Sequence, residues 1–145
     1  MGDGRGFGSD RGVGSDRGFG GGRLLGLGLD VVDVARLERA LRRHPGLRAR
    51  LFTESEQAYA ESMASPAVTY AGRFAAKEAL MKALGVGLGA LDWWDVEVRR
   101  RDGGRPELVV GGRAAALAAT LGVGAWQVSI SHTHTVASAV VAALT

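Results

Sequence analysis

Apolar residues recur along this chain at two periods, and the switches between them predict the order of its elements. From Leu24 to Leu29 apolar residues alternate with glycine, and Val31-Val32 follow. That pattern predicts a strand over about 23–31 that ends near Asp30, with Gly26 and Gly28 marking a close backbone approach or a bulge. Val34, Leu37 and Leu41 make a helical stripe over 34–44, with Asp33 as N-cap and Pro45-Gly46 as the stop. Thr53-Glu54-Ser55-Glu56 is a capping box that opens a short helix to about Met63. Ser65-Pro66 opens a longer helix running to Leu84 and stopping at Gly85, with Val68, Ala71, Phe74, Ala75 and Met81 on its apolar side. Strands follow at 95–101 and 107–110 around Asp102–Pro106. An alanine-rich helix over 113–121 closes at Gly122. A last strand pair, about 125–131 and 136–143, brackets Ser131-His132-Thr133-His134. One strand, three helices, a hairpin, a helix and a hairpin describe a single α+β domain, an antiparallel sheet packed with helices.

Residues 1–22 break this pattern. A six-residue unit repeats as Arg5-Gly-Phe-Gly-Ser-Asp10, Arg11-Gly-Val-Gly-Ser-Asp16 and Arg17-Gly-Phe-Gly-Gly-Gly22. Such a stretch has too little apolar surface to offset its chain entropy, so a disordered tail (1–22) ahead of a folded domain (23–145) is expected. Arg-Gly-Phe tracts can hold single-stranded RNA by stacking and charge. Here the aspartates nearly cancel the arginines, and nucleic acid is not the expected partner.

Composition narrows the chemistry. With no cysteine, disulfides, thiolate metal sites and thiol nucleophiles are excluded. No run approaches the roughly 18 apolar residues of a membrane span, and no apolar core of a secretory signal stands at the N-terminus. The expected setting is cytoplasmic, with no membrane partner. A net charge of +3 suits an anionic small molecule or an acidic protein. Of the 18 basic residues only Lys77 and Lys82 are lysines, and both fall in one segment. Lysine can give up a proton where arginine effectively cannot, so the segment is a candidate for chemistry.

That segment contains Glu78, between Phe74 and Met81 on the apolar stripe. A carboxylate there is costly unless it is paired or binds a metal. An i,i+4 ion pair with Lys82 is the plain alternative. Asp30, at the end of a glycine-interrupted strand, can cap the next element or act as a second carboxylate. His132 sits in a Ser-His-Thr-His turn, where a structural hydrogen bond is the common role. Zinc on His132 and His134 is disfavoured, since no third ligand is evident. The Gly85-Val-Gly87-Leu-Gly89 loop offers backbone N–H groups to phosphate. Because it follows a helix, it is not a dinucleotide-binding fingerprint.

Taken together these marks resemble a known family. Gly26-Leu-Gly28-Leu-Asp30-Val-Val with Arg36 following, Phe52-Thr53-Glu54-x-Glu56, Arg73-Phe-Ala-Ala-Lys77-Glu78-Ala with Lys82 following, the glycine loop, and Ser129-Ile-Ser131-His132-Thr133 occur in this order. They resemble the holo-acyl-carrier-protein synthases, small 4′-phosphopantetheinyl transferases, over about residues 24–144. Val86 departs from the pattern, because many relatives carry threonine there.

The resemblance implies the following. Mg2+ lies between Asp30 and Glu78, which fits the ion's preference for one or two carboxylates plus phosphate and waters. Coenzyme A is the co-substrate, and a carrier-protein serine attacks the phosphate bearing pantetheine. Adenosine 3′,5′-bisphosphate departs. The catalytic set is Asp30, Glu78 and Lys82, with Lys82 neutralising or protonating the leaving phosphate. The serine proton goes to Glu78 or to a water beside Asp30. Arg73, Lys82, Gly85, Gly87 and His132 bind the nucleotide and its phosphates. Arg36, Arg39 and Arg43 form a docking face for an acidic acyl carrier protein of fatty acid or polyketide synthesis. Chains of this length assemble as homotrimers with active sites at subunit junctions.

Other readings of the same residues stay open at this point. A different Mg2+-dependent phosphoryl or nucleotide hydrolase could use the carboxylate–lysine trio. A non-catalytic RNA-binding module could act through the tail. A scaffold could grip carrier protein without reaction.

Overall fold

The computed structural model describes residues 21–145; the repeat tail lies outside the described residues up to position 20. Strand β1 (Leu24–Asp33) leads into helix α1 (Val34–Arg43). Helices α2 (Leu47–Leu51), α3 (Glu54–Glu61) and α4 (Pro66–Ala83) follow. After a 3-10 turn at Trp93–Asp95 come strands β2 (Val96–Arg100) and β3 (Pro106–Val110), helix α5 (Gly112–Thr120), and strands β4 (Ala125–His132) and β5 (Val136–Leu144). The architecture is the expected α+β. An antiparallel sheet in the order β1-β5-β4 packs beside the separate β2-β3 hairpin. None of the described helices is long and apolar enough to cross a membrane.

Helix α4 is the hub. Eleven of its 18 residues are buried, including Tyr70, Ala71, Ala75, Ala76, Ala79 and Leu80. One side lies on the sheet and the other receives α1, α3 and β2. The alanines let β1 come unusually near. A Cβ on Gly26 or Gly28 would penetrate the carbonyl oxygens of Ala83 and Ala79, so only glycine fits. The strand register also shifts between Leu24 and Gly26, so both meanings of these glycines are realised.

The opposite side of α4 is pinned by an ion pair. Lys77 is fully buried, and its ammonium donates to Glu56 Oε2 (2.7 Å), Leu51 O (2.8 Å) and Trp93 O (3.0 Å). All three of its donors are therefore used. Glu56 also accepts from the backbone N–H of Thr53 and of Val98, both at 2.8 Å. The capping-box glutamate thus joins α3, α4 and β2, and Lys77 is structural.

Two local features differ from the sequence expectation. Strand β1 runs three residues past Asp30, because β5 continues the ladder through Val31↔Ser138, Val32↔Ala137 and Asp33↔Val136. The short α2 was not expected; it starts at left-handed Gly46 (φ 91°) with no side-chain cap to announce it.

Candidate active site

Asp30 occupies an inward position of β1, at 8% exposure, and not the strand's end. It caps nothing. Asp33 does that, accepting from Arg36 N at 2.8 Å. The tight seating of Gly28 on Ala79 brings the Asp30 side chain to the α4 turn that carries Glu78 and Lys82. Lys82 reaches across, with Nζ 2.8 Å from Leu29 O and 3.0 Å from Asp30 Oδ1. The local Glu78–Lys82 ion pair does not form; Lys82 pairs with the strand carboxylate instead.

Asp30 Oδ2 is buried and has no hydrogen-bond partner among the described residues. Opposite stands the half-buried Glu78, whose carboxyl is pushed up to about 7. Burial is the main cause, followed by the adjoining Asp30 carboxylate, with Lys82 acting the other way. With the ammonium of Lys82 on Asp30, the facing Glu78 carboxyl and Asp30 Oδ2 leave an oxygen pair that needs a proton or a cation. Among the described residues no third carboxylate or imidazole joins them in a metal-holding cluster. Two hard oxygen donors with open positions suit Mg2+, which keeps waters and substrate phosphate in its shell.

The glycine loop begins as the C-cap of α4. Gly85 is left-handed (φ 72°), donating to Lys82 O, while Val86 donates to Met81 O, both at 3.0 Å. This is a Schellman closure, and it occupies both N–H groups. Gly85 still lines a shallow groove with Lys82, Leu25, Leu27 and Leu121. Gly87 follows in the loop, its carbonyl accepting from Ala90 N at 3.3 Å.

Arg73 and His132 come together elsewhere. They line a 230 Å³ cavity with Tyr59, Thr69, Arg100 and Ile130. Nine residues separate Arg73 from Lys82, which at about 100° per residue places them on opposite sides of α4. One chain therefore holds Arg73 and His132 apart from Asp30, Glu78 and Lys82. Arg73 is 7% exposed, its Nε has no partner, and burial lowers its pKa. Tyr59 and Arg100 were not among the residues singled out from sequence. Arg100 lies in Arg99-Arg100-Arg101, which reads as a solvated strand end, and Tyr59 lies on a short helix. Only the folded chain shows that they share a cavity.

On α1, Arg36, Arg39 and Arg43 are all exposed. Arg36 and Arg43 are two turns apart on one line, with Arg39 beside them. Among the described residues none of the three is in an ion pair, whereas Arg42 pairs with Glu38 at 3.4 Å. The N–H of Val34 donates to Thr135 O, tying this helix to the β4–β5 turn.

Residues 26–142 match the family model of the 4′-phosphopantetheinyl transferase superfamily. The holo-[acyl-carrier-protein] synthase of Moorella thermoacetica is 50% identical over 117 residues, which cover 81% of this chain and 91% of that protein. The synthase of Streptomyces coelicolor is 51% identical over 120 residues, covering 83% and 97%. The crystal structure of the Bacillus anthracis holo-(acyl-carrier-protein) synthase in complex with CoA (3′,5′-ADP) superposes with a TM-score of 0.69 at 32% identity, covering 83% of this chain and 96% of that one. A match across nearly the whole described domain, together with a superposable fold, places this chain in the 4′-phosphopantetheinyl transferase superfamily, among its holo-acyl-carrier-protein synthases.

Proposed function

We propose that the chain transfers 4′-phosphopantetheine from coenzyme A to a serine of an apo acyl carrier protein, with Mg2+ held by Asp30 and Glu78. Adenosine 3′,5′-bisphosphate leaves. The observation that carries this reading is the convergence of Asp30, Glu78 and Lys82, with a buried carboxylate oxygen left without a partner. When bound, Mg2+ supplies Lewis-acid polarisation of the diphosphate.

The chain's own groups do the remaining work. Lys82 lies one helical turn beyond Glu78, and its side chain is 54% exposed. It is anchored on the Leu29 carbonyl, with its charge beside the place where a leaving phosphate gains charge. The Glu78 carboxyl, pushed up to about 7, would exchange its proton for the cation on binding. Gly26 and Gly28 fix the strand–helix spacing on which this geometry depends.

Completion of the site is assigned to assembly. The outer face of the sheet shows Leu27, Leu29 and Val31 at 59–62% exposure, with Val136 and Val140 beside them on β5. Contiguous apolar surface of this kind favours a partner. In a homotrimer covering these faces, the Arg73–His132 cavity of one copy would meet the Asp30–Glu78–Lys82 cluster of the next. The exposed Arg36, Arg39 and Arg43 of α1 would receive an acidic carrier protein.

Mass spectrometry of apo carrier protein incubated with enzyme and coenzyme A tests the reading. The expected result is a gain of one phosphopantetheine group, dependent on Mg2+ and abolished by chelation. Release of nucleotide without carrier protein would instead support a hydrolase.

A further inference from the structure

The cavity that holds Arg73 and His132 contains a second guanidinium that the family motif does not supply. Arg73 lies over the ring of Tyr59, with Cζ 4.2 Å from its centroid. Arg100 approaches the same ring at 5.6 Å, donates from Nη1 to the Tyr59 hydroxyl, and donates from Nε to Gly104 O at 3.2 Å. One tyrosine therefore holds two arginines, one through its face and the other through its oxygen. Among the described residues no carboxylate pairs with either. Glu56 is near enough to favour the charge on Arg73, but its oxygens are already engaged by Lys77, Thr53 and Val98.

Two like charges gathered around one ring, one of them on a buried side chain with an orphaned Nε, are costly until an anion arrives. Guanidinium forks match phosphate oxygens. A phosphate monoester carries about −1.5 to −2 charge at neutral pH, which matches two arginines better than a singly charged phosphodiester. At 230 Å³ the cavity is smaller than the roughly 300–1,000 Å³ pockets that enclose whole ligands, so it suits a headgroup. The diphosphate already has its binding groups at Asp30, Glu78 and Lys82, which the proposed assembly brings from a neighbouring copy.

We propose that Arg100 and Tyr59 complete a clamp with Arg73 for the 3′-phosphate monoester of the nucleotide, Arg100 setting specificity and Tyr59 positioning both guanidiniums. The proposal rests on coenzyme A being the donor.

The test compares coenzyme A with 3′-dephospho-coenzyme A in the full chain, alongside calorimetric titration of adenosine 3′,5′-bisphosphate and of 5′-AMP. Arg100→Met is expected to lose on the order of tenfold or more in kcat/KM with coenzyme A, mainly through KM. With the 3′-dephospho donor it loses much less, so discrimination collapses. Tyr59→Leu follows Arg100→Met; Tyr59→Phe, which keeps the ring under Arg73 but removes the oxygen that holds Arg100, loses an intermediate share of the discrimination, and Arg100→Lys restores part of it. Proportional losses with both donors, or none with either, would overturn the clamp. So would a wild-type protein that binds the bisphosphate no better than 5′-AMP, even if transfer proceeds. Discriminating titrations from a protein that transfers nothing would keep the clamp and sink the functional reading.

Discussion

Lys82 bonds to Asp30 of β1, 52 positions away in the chain, in preference to Glu78 one turn back in its own helix. The ammonium therefore bridges strand and helix, and the second carboxyl is left to a proton or a cation. The roles of the two lysines separate on this point. Lys82→Ala is expected to fold normally and lose on the order of 10²–10³ in turnover, as when a preorganised charge is removed from a reaction centre. Lys82→Arg should restore little, because a planar fork replaces a compact charge. Lys77→Ala leaves Glu56 buried and unpaired and should cost about 3–5 kcal/mol of stability. Melting curves with turnover per folded molecule check this; equal losses per folded molecule would refute the role of Lys82.

The raised Glu78 carboxyl predicts a pH dependence. Its ordinary value is 4.5 and its folded value about 7, so between them the folded state binds the proton more tightly than the unfolded chain. The contribution to stability is full below the unfolded value and is lost as pH rises through the folded one. The metal-free protein should lose melting temperature between about pH 5 and 8, and Glu78→Gln should remove that component. Mg2+ affinity should rise through the same window, with release of a proton. A wild-type pH profile that overlays that of Glu78→Gln would contradict this.

Gly28→Ala tests the spacing of strand and helix. A methyl group placed against the Ala79 carbonyl must push β1 away from α4. The expected cost is about 1–3 kcal/mol, with weakened Mg2+ binding in the fraction that still folds. Thermal melts and a Mg2+ titration report the two effects separately.

Reversal of Arg36 and Arg43 to Glu should weaken carrier-protein binding and flatten its dependence on salt. Surface plasmon resonance across a salt series measures both. Unchanged affinity would end the docking assignment.

The proposal that subunits share a site makes a stricter prediction. Arg73→Ala and Lys82→Ala should each be impaired alone, while subunits of the two variants exchanged into mixed assemblies should regain part of the activity. Leu29→Lys, which charges the apolar sheet face, should yield smaller particles in sedimentation velocity and lose transfer.

How far the sequence disclosed this molecule depended on the range of the interactions. Helix starts were legible because caps are local: Asp33 holds Arg36 N, and Thr53 and Glu56 cap each other. The end of β1 was not, because the β5 ladder decides it from more than a hundred residues away. The carboxylate pair was visible as an anomaly on a helix stripe and as a strand aspartate. The partner of Lys82 was hidden, because i,i+4 spacing favours a local bond and only the glycine-mediated approach of β1 overrides it. Tyr59 and Arg100 gave no local sign at all, since their meaning arises where α3, α4 and β2 meet.

The sealed environment of Lys77 has a chemical corollary. The described domain contains two lysines; one has every ammonium hydrogen committed inside the core, and the other is 54% exposed beside Asp30. Mild acylating reagents should therefore find a single lysine amine in the folded domain. A covalent probe placed on it would sit within reach of the reacting groups.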